Sequence, residues 1–383
     1  MQKESLLFFS FPRRSKFSEA KVTIFLDINK DMLTFAVMMR NIKIIIGVIT
    51  IVMLTACGGN GDAVSRSEKV PEGMTMLCRV KTTPVKNQSS SDFCWLYAML
   101  ATIESEHIEL GDSVNLSVDF LCRAVLEERL QRYYLSKGQT PWTARGTCSD
   151  ALRMLQQYGI SHYDSFHSDV NYGVLMRKLQ KTADDAIAKG AGLATLQQQT
   201  GDILDREIHG RLLNVFMYGA IYTPQEFAHS MCREDEYVAL TSFTHHPYNQ
   251  SFVLEVPDNR SNSEFYNLPL DTLVNKIDKT LMSGHPVCWE GDISEDGFSF
   301  KKGFAEYPSK VSSPLRQEAF EQFKTTDDHC MAIVGMAKAK DGMKYYLCKN
   351  SWGTDNPFGG FMYMSESYLR MKTVAVWINR ESS

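Results

Sequence analysis

The sequence has no C-x-x-C pair, no long run of like charge and no apolar stretch long enough to cross a bilayer as a helix. Without paired cysteine spacing, a zinc or dithiol motif is not expected among its nine cysteines, and no cofactor or metal is read from it. Lys plus Arg number 41 against 45 Asp plus Glu, a net charge of −4, so no basic surface is left for a phosphate backbone and no nucleic-acid partner is expected. What is present is 383 residues with 44% hydrophobic content, enough to bury the core of one large or two moderate domains.

One stretch organises the rest. Pro84 to Asp92 is a polar loop that delivers Phe93, Cys94 and Trp95 to an apolar run reaching Ile103. Ser89 to Asp92 are residues of the kind that cap helix starts, and the run after Cys94 has no clearly polar face, as expected of a helix packed all round. Cys94 then lies where free amides and the helix dipole favour negative charge, which lowers a thiol's pKa and makes a thiolate nucleophile. Gln88, six residues earlier, is near enough to aim its amide at charge developing beside Cys94.

This segment resembles the active-site segment of the papain-like cysteine peptidases, which carry a Gln, five residues and then Cys-Trp. Asp327-Asp328-His329-Cys330 and Lys349-Asn350-Ser351-Trp352-Gly353 resemble that family's His and Asn segments, in its order. Within the superfamily the likeness is to the bleomycin hydrolase and aminopeptidase C branch. Ser91 stands where secreted papains have a disulfide cysteine, Cys94 and His329 are 235 residues apart, and the segments Phe265 to Leu270 and Gly284 to Trp289 are similar to that branch. The resemblance implies Cys94 as nucleophile, His329 as base, Asn350 as the group orienting His329, and Gln88 with the Cys94 amide as oxyanion donors. It implies supporting roles for Trp95 and Trp352, substrate contacts at Gly146, Asp92 and Asp328, and peptide or protein substrates. Asp92 replaces the family's usual glycine, and a carboxylate there raises the Cys94 pKa or favours a basic substrate. Other readings remain open: a catalytically inactive papain-fold lipoprotein that binds peptides or a partner, and acyl transfer of the transglutaminase kind.

The start of the chain reads as an address. Met39 to Lys43 is a basic flank, Ile44 to Ala56 an apolar run of 13 residues, and Leu54-Thr55-Ala56-Cys57 resembles a bacterial lipobox with Cys57 as the lipidated residue. Residues 1–38 are then a start-site artefact, 39–56 a lipoprotein signal peptide and 57–75 a flexible tether. Gly58 after the anchor resembles lipoproteins of the outer membrane, so the expectation is an exported lipoprotein facing the periplasm or the cell surface. About two dozen residues separate Cys57 from Lys81, so no inhibitory propeptide is expected.

The expected architecture is α+β, the papain-like two-domain fold with a cleft between a helical domain, 76–230, and a β-rich barrel-like domain, 231–383. A helix with Ser117 as its cap runs from Val118 to Tyr134, and another from Ala151 to Tyr158. An insertion at about 171–218 is read as helical, with Leu204, Ile208, Leu212 and Phe216 on one face. Short β-type runs then follow from Tyr237 to Ile378. His245 and His246 are set aside as metal ligands because neighbours in a strand point oppositely and no third ligand is spaced to join them. The cysteines other than Cys57 and Cys94 sit mostly among apolar neighbours and are read as free and buried. The chain stops at Ser383 just after the last strand, so the C-terminal arm of bleomycin hydrolases, strict aminopeptidase action and a hexameric cage are not expected.

Overall fold

Side-chain caps set the helices of the first half. In the computed structural model, which describes residues 70–217 and 219–382, β1 (Met74–Arg79) is followed by α1 (Cys94–Glu109), α2 (Val118–Leu135), α3 (Cys148–Tyr158), α4 (Tyr172–Lys189) and α5 (Leu193–Glu207). Ser117, Thr147 and Asn171 accept the first free amides of α2, α3 and α4. Gly159 closes α3 at φ +82°, and a β-carbon there would meet the Pro224 backbone at 2.3 Å, so no other residue fits without displacing the chain. A short hairpin of β2 (Val215–Met217) and β3 (Ala220–Tyr222) leads into α6 (Pro224–Met231), which Thr223 and Glu226 start with a capping box.

Three expectations are corrected here. The Ser89 to Asp92 run does not cap α1: Phe93 occupies the cap position and makes no side-chain cap bond. The polar run instead turns the loop, with Ser89 at φ +53° and its N–H held by Asn87 Oδ1 at 2.8 Å. The insertion is helical only to Glu207; Gly210 lies in the exit loop, Phe216 is an exposed strand residue, and Leu204 and Ile208 alone of the four are buried. β1 begins at Met74, within the stretch read as tether. Residues 1–38, the expected signal peptide 39–56 and Cys57 lie outside the described residues.

The second half is built on β4 (Tyr237–Thr241), β5 (Ser251–Val253), β6 (Glu264–Asn267), β7 (Val287–Gly291), β8 (Phe298–Ser299), β9 (Phe304–Ala305), β10 (His329–Ala339), β11 (Lys344–Lys349), β12 (Phe361–Ser365) and β13 (Thr373–Asn379). Three helices are interspersed: α7 (Leu270–Met282), α8 (Ser313–Glu321) and α9 (Glu366–Lys372). The sheet runs β5-β6-β4-β13-β7-β10-β11-β12-β9-β8, with β1 added along β10. Most pairs are antiparallel; β4 with β6 and β12 with β9 are parallel. β10 is the axis of this half. Its start pairs with β7, its end with β1, and its register against β11 shifts between Ile333 and Gly335. A β-carbon at Gly335 would meet Cys78 O at 2.6 Å, so the glycine lets β1 lie close.

α1 is the shared wall. Trp95, Leu96, Met99 and Ile103 are buried with the helical half, while Ala101 joins Val80, Ala332 and Val334 on the sheet side. Trp289, Met331, Ile333 and Tyr346 form a further core under α7 and α9. Among the described residues no helix is long and apolar enough to cross a membrane.

Candidate active site

The site forms where α1 starts against β10. Cys94 is the first helical residue of α1, His329 the first residue of β10, and Asn350 follows β11 directly. His329 Nε2 hydrogen-bonds Asn350 Oδ1 at 2.8 Å, both residues being buried. That bond fixes the Nε2–H tautomer and turns the other ring nitrogen to the Cys94 sulfur. The Trp352 ring lies 4.8 Å from the imidazole, centroid to centroid, with the edges of Phe298 and Phe300 behind it, so water is kept from the His329–Asn350 bond. The Cys330 thiol first, and then hydrogen bonding and charge from His329, hold Cys94 well below the ordinary thiol range against the effect of burial.

Gln88 is oriented from both ends. Its Oε1 accepts Ser351 Oγ–H at 2.5 Å and its Nε2 donates to Ser91 O at 2.7 Å. One amide hydrogen is thereby spent on Ser91 and the other is free at the cleft wall that Gln88 shares with Cys94. Ser351 N also donates to Asn350 Oδ1 at 2.7 Å, so one serine connects the groups at both sides of the sulfur. Sequence reasoning named the Ser-Trp-Gly motif but gave Ser351 no part.

The cleft, about 290 Å³, brings together Gln88, Asp92, Cys94, Trp95, Gly146, Asp328, His329 and Trp352, every candidate outside the signal region except Asn350, which stands behind His329. Trp95 is fully buried and donates Nε1–H to Ala144 O at 2.9 Å, tying the Gly146 loop to α1. A β-carbon at Gly146 would reach Arg129 Nη2 at 3.0 Å and the Trp95 ring at 3.1 Å, so a side chain there would press on the tryptophan. Asp328 accepts Thr326 Oγ1–H at 2.7 Å. Burial raises Asp92, Arg145 opposes that, and repulsion from Cys94 ranks after both.

Arg145, Asp258 and Asp327 also line the cleft and were missed as a group. Arg145 Nε donates to Asp258 Oδ2 at 2.7 Å and its Nη2 to Asp327 O at 2.6 Å. Burial, and then the nearby Asp258 charge, push Asp327 up to about 6. A larger hollow of about 1010 Å³ among Arg123, Glu127, Arg132 and Asp205 contains no nucleophile and none of the candidates.

His245 and His246 are not strand neighbours, and a third ligand-type residue does lie beside them. Both follow β4 in a turn, not a strand, and both meet Glu255: His246 Nε2 at 2.6 Å and His245 Nε2 at 3.2 Å. Yet Gln317 Oε1 accepts Thr244 N–H, so its amine faces His245 Nδ1 at 2.9 Å and makes that nitrogen the acceptor. Nε2 then carries the proton toward Glu255, and the triplet is a hydrogen-bonded brace. The eight cysteines among the described residues are free, six of them buried.

Comparison with known proteins points to the same fold. The model of the Peptidase C1-like family matches residues 216–382. Similar curated proteins include Aminopeptidase G of Lactobacillus delbrueckii subsp. lactis, 21% identical over 83% of this chain and 86% of its own. Cysteine proteinase 1, mitochondrial, of Saccharomyces cerevisiae is 24% identical over 75% of this chain and 73% of its own. Among solved structures, PepW from Lactobacillus rhamnosis superposes with a TM-score of 0.61 at 18% identity, covering 85% of each chain. The α+β papain-like architecture and the resemblance read from the motifs are thus borne out.

Proposed function

We propose that this papain-like chain, a cysteine-type peptidase, cleaves peptide bonds through Cys94, His329 and Asn350 by way of an acyl-enzyme. The observation that carries the reading is the His329–Asn350 bond of 2.8 Å beside a cysteine at the first position of a buried helix. The Cys94 thiolate adds to the scissile carbonyl, forming a C–S bond while the carbonyl π pair moves to oxygen. The Cys94 N–H and the free Gln88 Nε2–H receive that oxyanion. Collapse breaks the C–N bond, and the imidazolium of His329 gives its proton to the departing amine. Water, deprotonated by His329, then releases the acid and restores the thiol pair.

Besides His329, Arg145 is the basic residue lining a cleft with four carboxylates, Asp92, Asp258, Asp327 and Asp328. That balance favours substrates bearing a cationic group, such as a free N-terminal amine or a basic side chain. Export with a lipid anchor at Cys57 is part of the same proposal, supported by the ordered basic flank, apolar run and lipobox. Incorporation of a labelled fatty acid, lost in Cys57→Ala, checks it.

The function is tested with fluorogenic peptides offered with free and with blocked amines. Turnover is expected, faster with the free amine, absent in Cys94→Ala and reduced about a hundredfold or more in kcat for Gln88→Ala. No hydrolysis of either peptide by the wild-type chain would overturn the reading. Full activity in Gln88→Ala would remove Gln88 from the oxyanion hole.

A further inference from the structure

Behind the nucleophile lies a cluster of which the catalytic steps use only the Cys330 thiol, as a neighbour of Cys94. Cys330 and Glu290 are direct cross-strand partners on β10 and β7, and Cys288 lies two residues before Glu290, so the three share one face of the sheet. Cys148, the first residue of α3, comes to that face from the helical half. The Cys148, Cys330 and Glu290 ligand atoms lie within 4.8 Å of one another and all three residues are buried. Cys288 Sγ donates to Cys148 Sγ at 3.2 Å, and Cys330 Sγ to Glu290 Oε2 at 3.7 Å.

We infer that Cys148, Cys330 and Glu290 form a binding site for a thiophilic divalent cation, Zn²⁺ or Cd²⁺, directly beneath the active-site cysteine. Two sulfurs and a carboxylate are a donor set of the kind such ions take, and Cys288 supports it by its hydrogen bond to Cys148. A tetrahedral ion with metal–sulfur bonds of about 2.3 Å sets its ligands roughly 3.8 Å apart, so small side-chain rotations close the set. Glu290 is 2% exposed, and no basic side chain forms an ion pair with it among the described residues. A dication supplies the missing positive charge. On entry, the Cys330 S–H and Glu290 O–H bonds break, as does the Cys148 S–H bond in chains where that thiol still carries its proton; two to three protons leave to solvent, and two metal–sulfur bonds and one metal–oxygen bond form, with no change of oxidation state. Cys330 lines the cleft beside Cys94, which gives the ion its way in.

The test is titration of the reduced, metal-free full chain with Cd²⁺, read by thiolate-to-cadmium charge-transfer absorption and by proton release. The expected result is one ion per chain with about two to three protons released. Binding should be unchanged in Cys94→Ala and weakened at least about tenfold in Cys148→Ser, Cys330→Ser and Glu290→Gln. Glu290→Gln is isosteric with the protonated acid, so it reports on the site even where a cysteine variant fails to fold. Absence of the band in the wild type, its survival at full affinity in Cys330→Ser and Glu290→Gln, or its loss in Cys94→Ala overturns the inference. Because Cys94→Ala ends turnover while leaving Cys148, Cys330 and Glu290 themselves in place, failure of the ion site and failure of the peptidase reading are separately visible.

Discussion

Two buried glutamates flank the active site and meet opposite fates. Glu104 on α1 is 0% exposed and Glu290 on β7 is 2% exposed, so desolvation penalises both charges to a similar degree. Around Glu104, however, Lys86 Nζ donates at 2.6 Å, Thr83 Oγ1 at 2.5 Å and Leu116 N at 2.6 Å, while Lys349 Nζ holds the same threonine at 2.7 Å. Burial alone would raise Glu104, but Lys86 and then Lys349 reverse it and bring its pKa below the ordinary value. Glu290 has neighbours that repel it, and burial followed by the charges of Cys148 and Asp327 keeps it protonated. The difference teaches that accessibility does not decide ionisation here; the cations do. Lys86 stands two residues before Gln88, and Lys349 directly precedes Asn350. The ionised Glu104 therefore fastens the Gln88 and Asn350 segments to the helix that carries Cys94, and the neutral Glu290 fastens neither.

The largest expected effect is at Glu104. Glu104→Ala leaves the buried Lys349 and the part-buried Lys86 without a counter-charge and should cost about 3–5 kcal/mol in chemical denaturation at neutral pH. It should also lower kcat/KM by roughly a hundredfold through misplaced Gln88 and Asn350. A loss of stability with catalysis intact would separate the strut from the site. A smaller effect, of opposite sign, is expected at Glu290. Its folded pKa is raised, so its favourable contribution is complete below about pH 4.3 and is lost as pH rises toward the folded value. Glu290→Gln should therefore gain on the wild type by up to roughly 1.4 kcal/mol per pH unit over that window. Glu104 runs the other way: its contribution is present above about pH 4.3 and fades as pH falls through its depressed value, so Glu104→Gln should approach the wild type only in acid. Parallel pH profiles for the two variants would break the comparison.

The candidate site residues were legible because each lies in a short contiguous motif. A thiol at a helix start, a His opening a strand and an Asn closing one carry their chemistry locally. Arg145, Asp258 and Asp327 were not legible as a group, since Arg145 and Asp258 are 113 residues apart and meet through the fold alone. The Glu104–Lys86–Lys349 strut was hidden for the same reason, as was the cysteine cluster, in which Cys148 and Cys288 are 140 residues apart. The four-residue spacing from Leu204 to Phe216 continued past the end of its helix because hydrophobic periodicity does not register the loop containing Gly210. His245 and His246 were misjudged by assuming a strand where the chain turns.

The most direct test of the central claim is the rate of Cys94 alkylation as a function of pH, mapped by mass spectrometry in the wild type and in His329→Ala. The expected result is labelling at Cys94 alone, with a midpoint well below the ordinary thiol value of about 8.5, moving back toward it in the variant. Slow labelling spread over several cysteines, with an ordinary midpoint in both proteins, would contradict the thiolate–imidazolium pair on which the account rests.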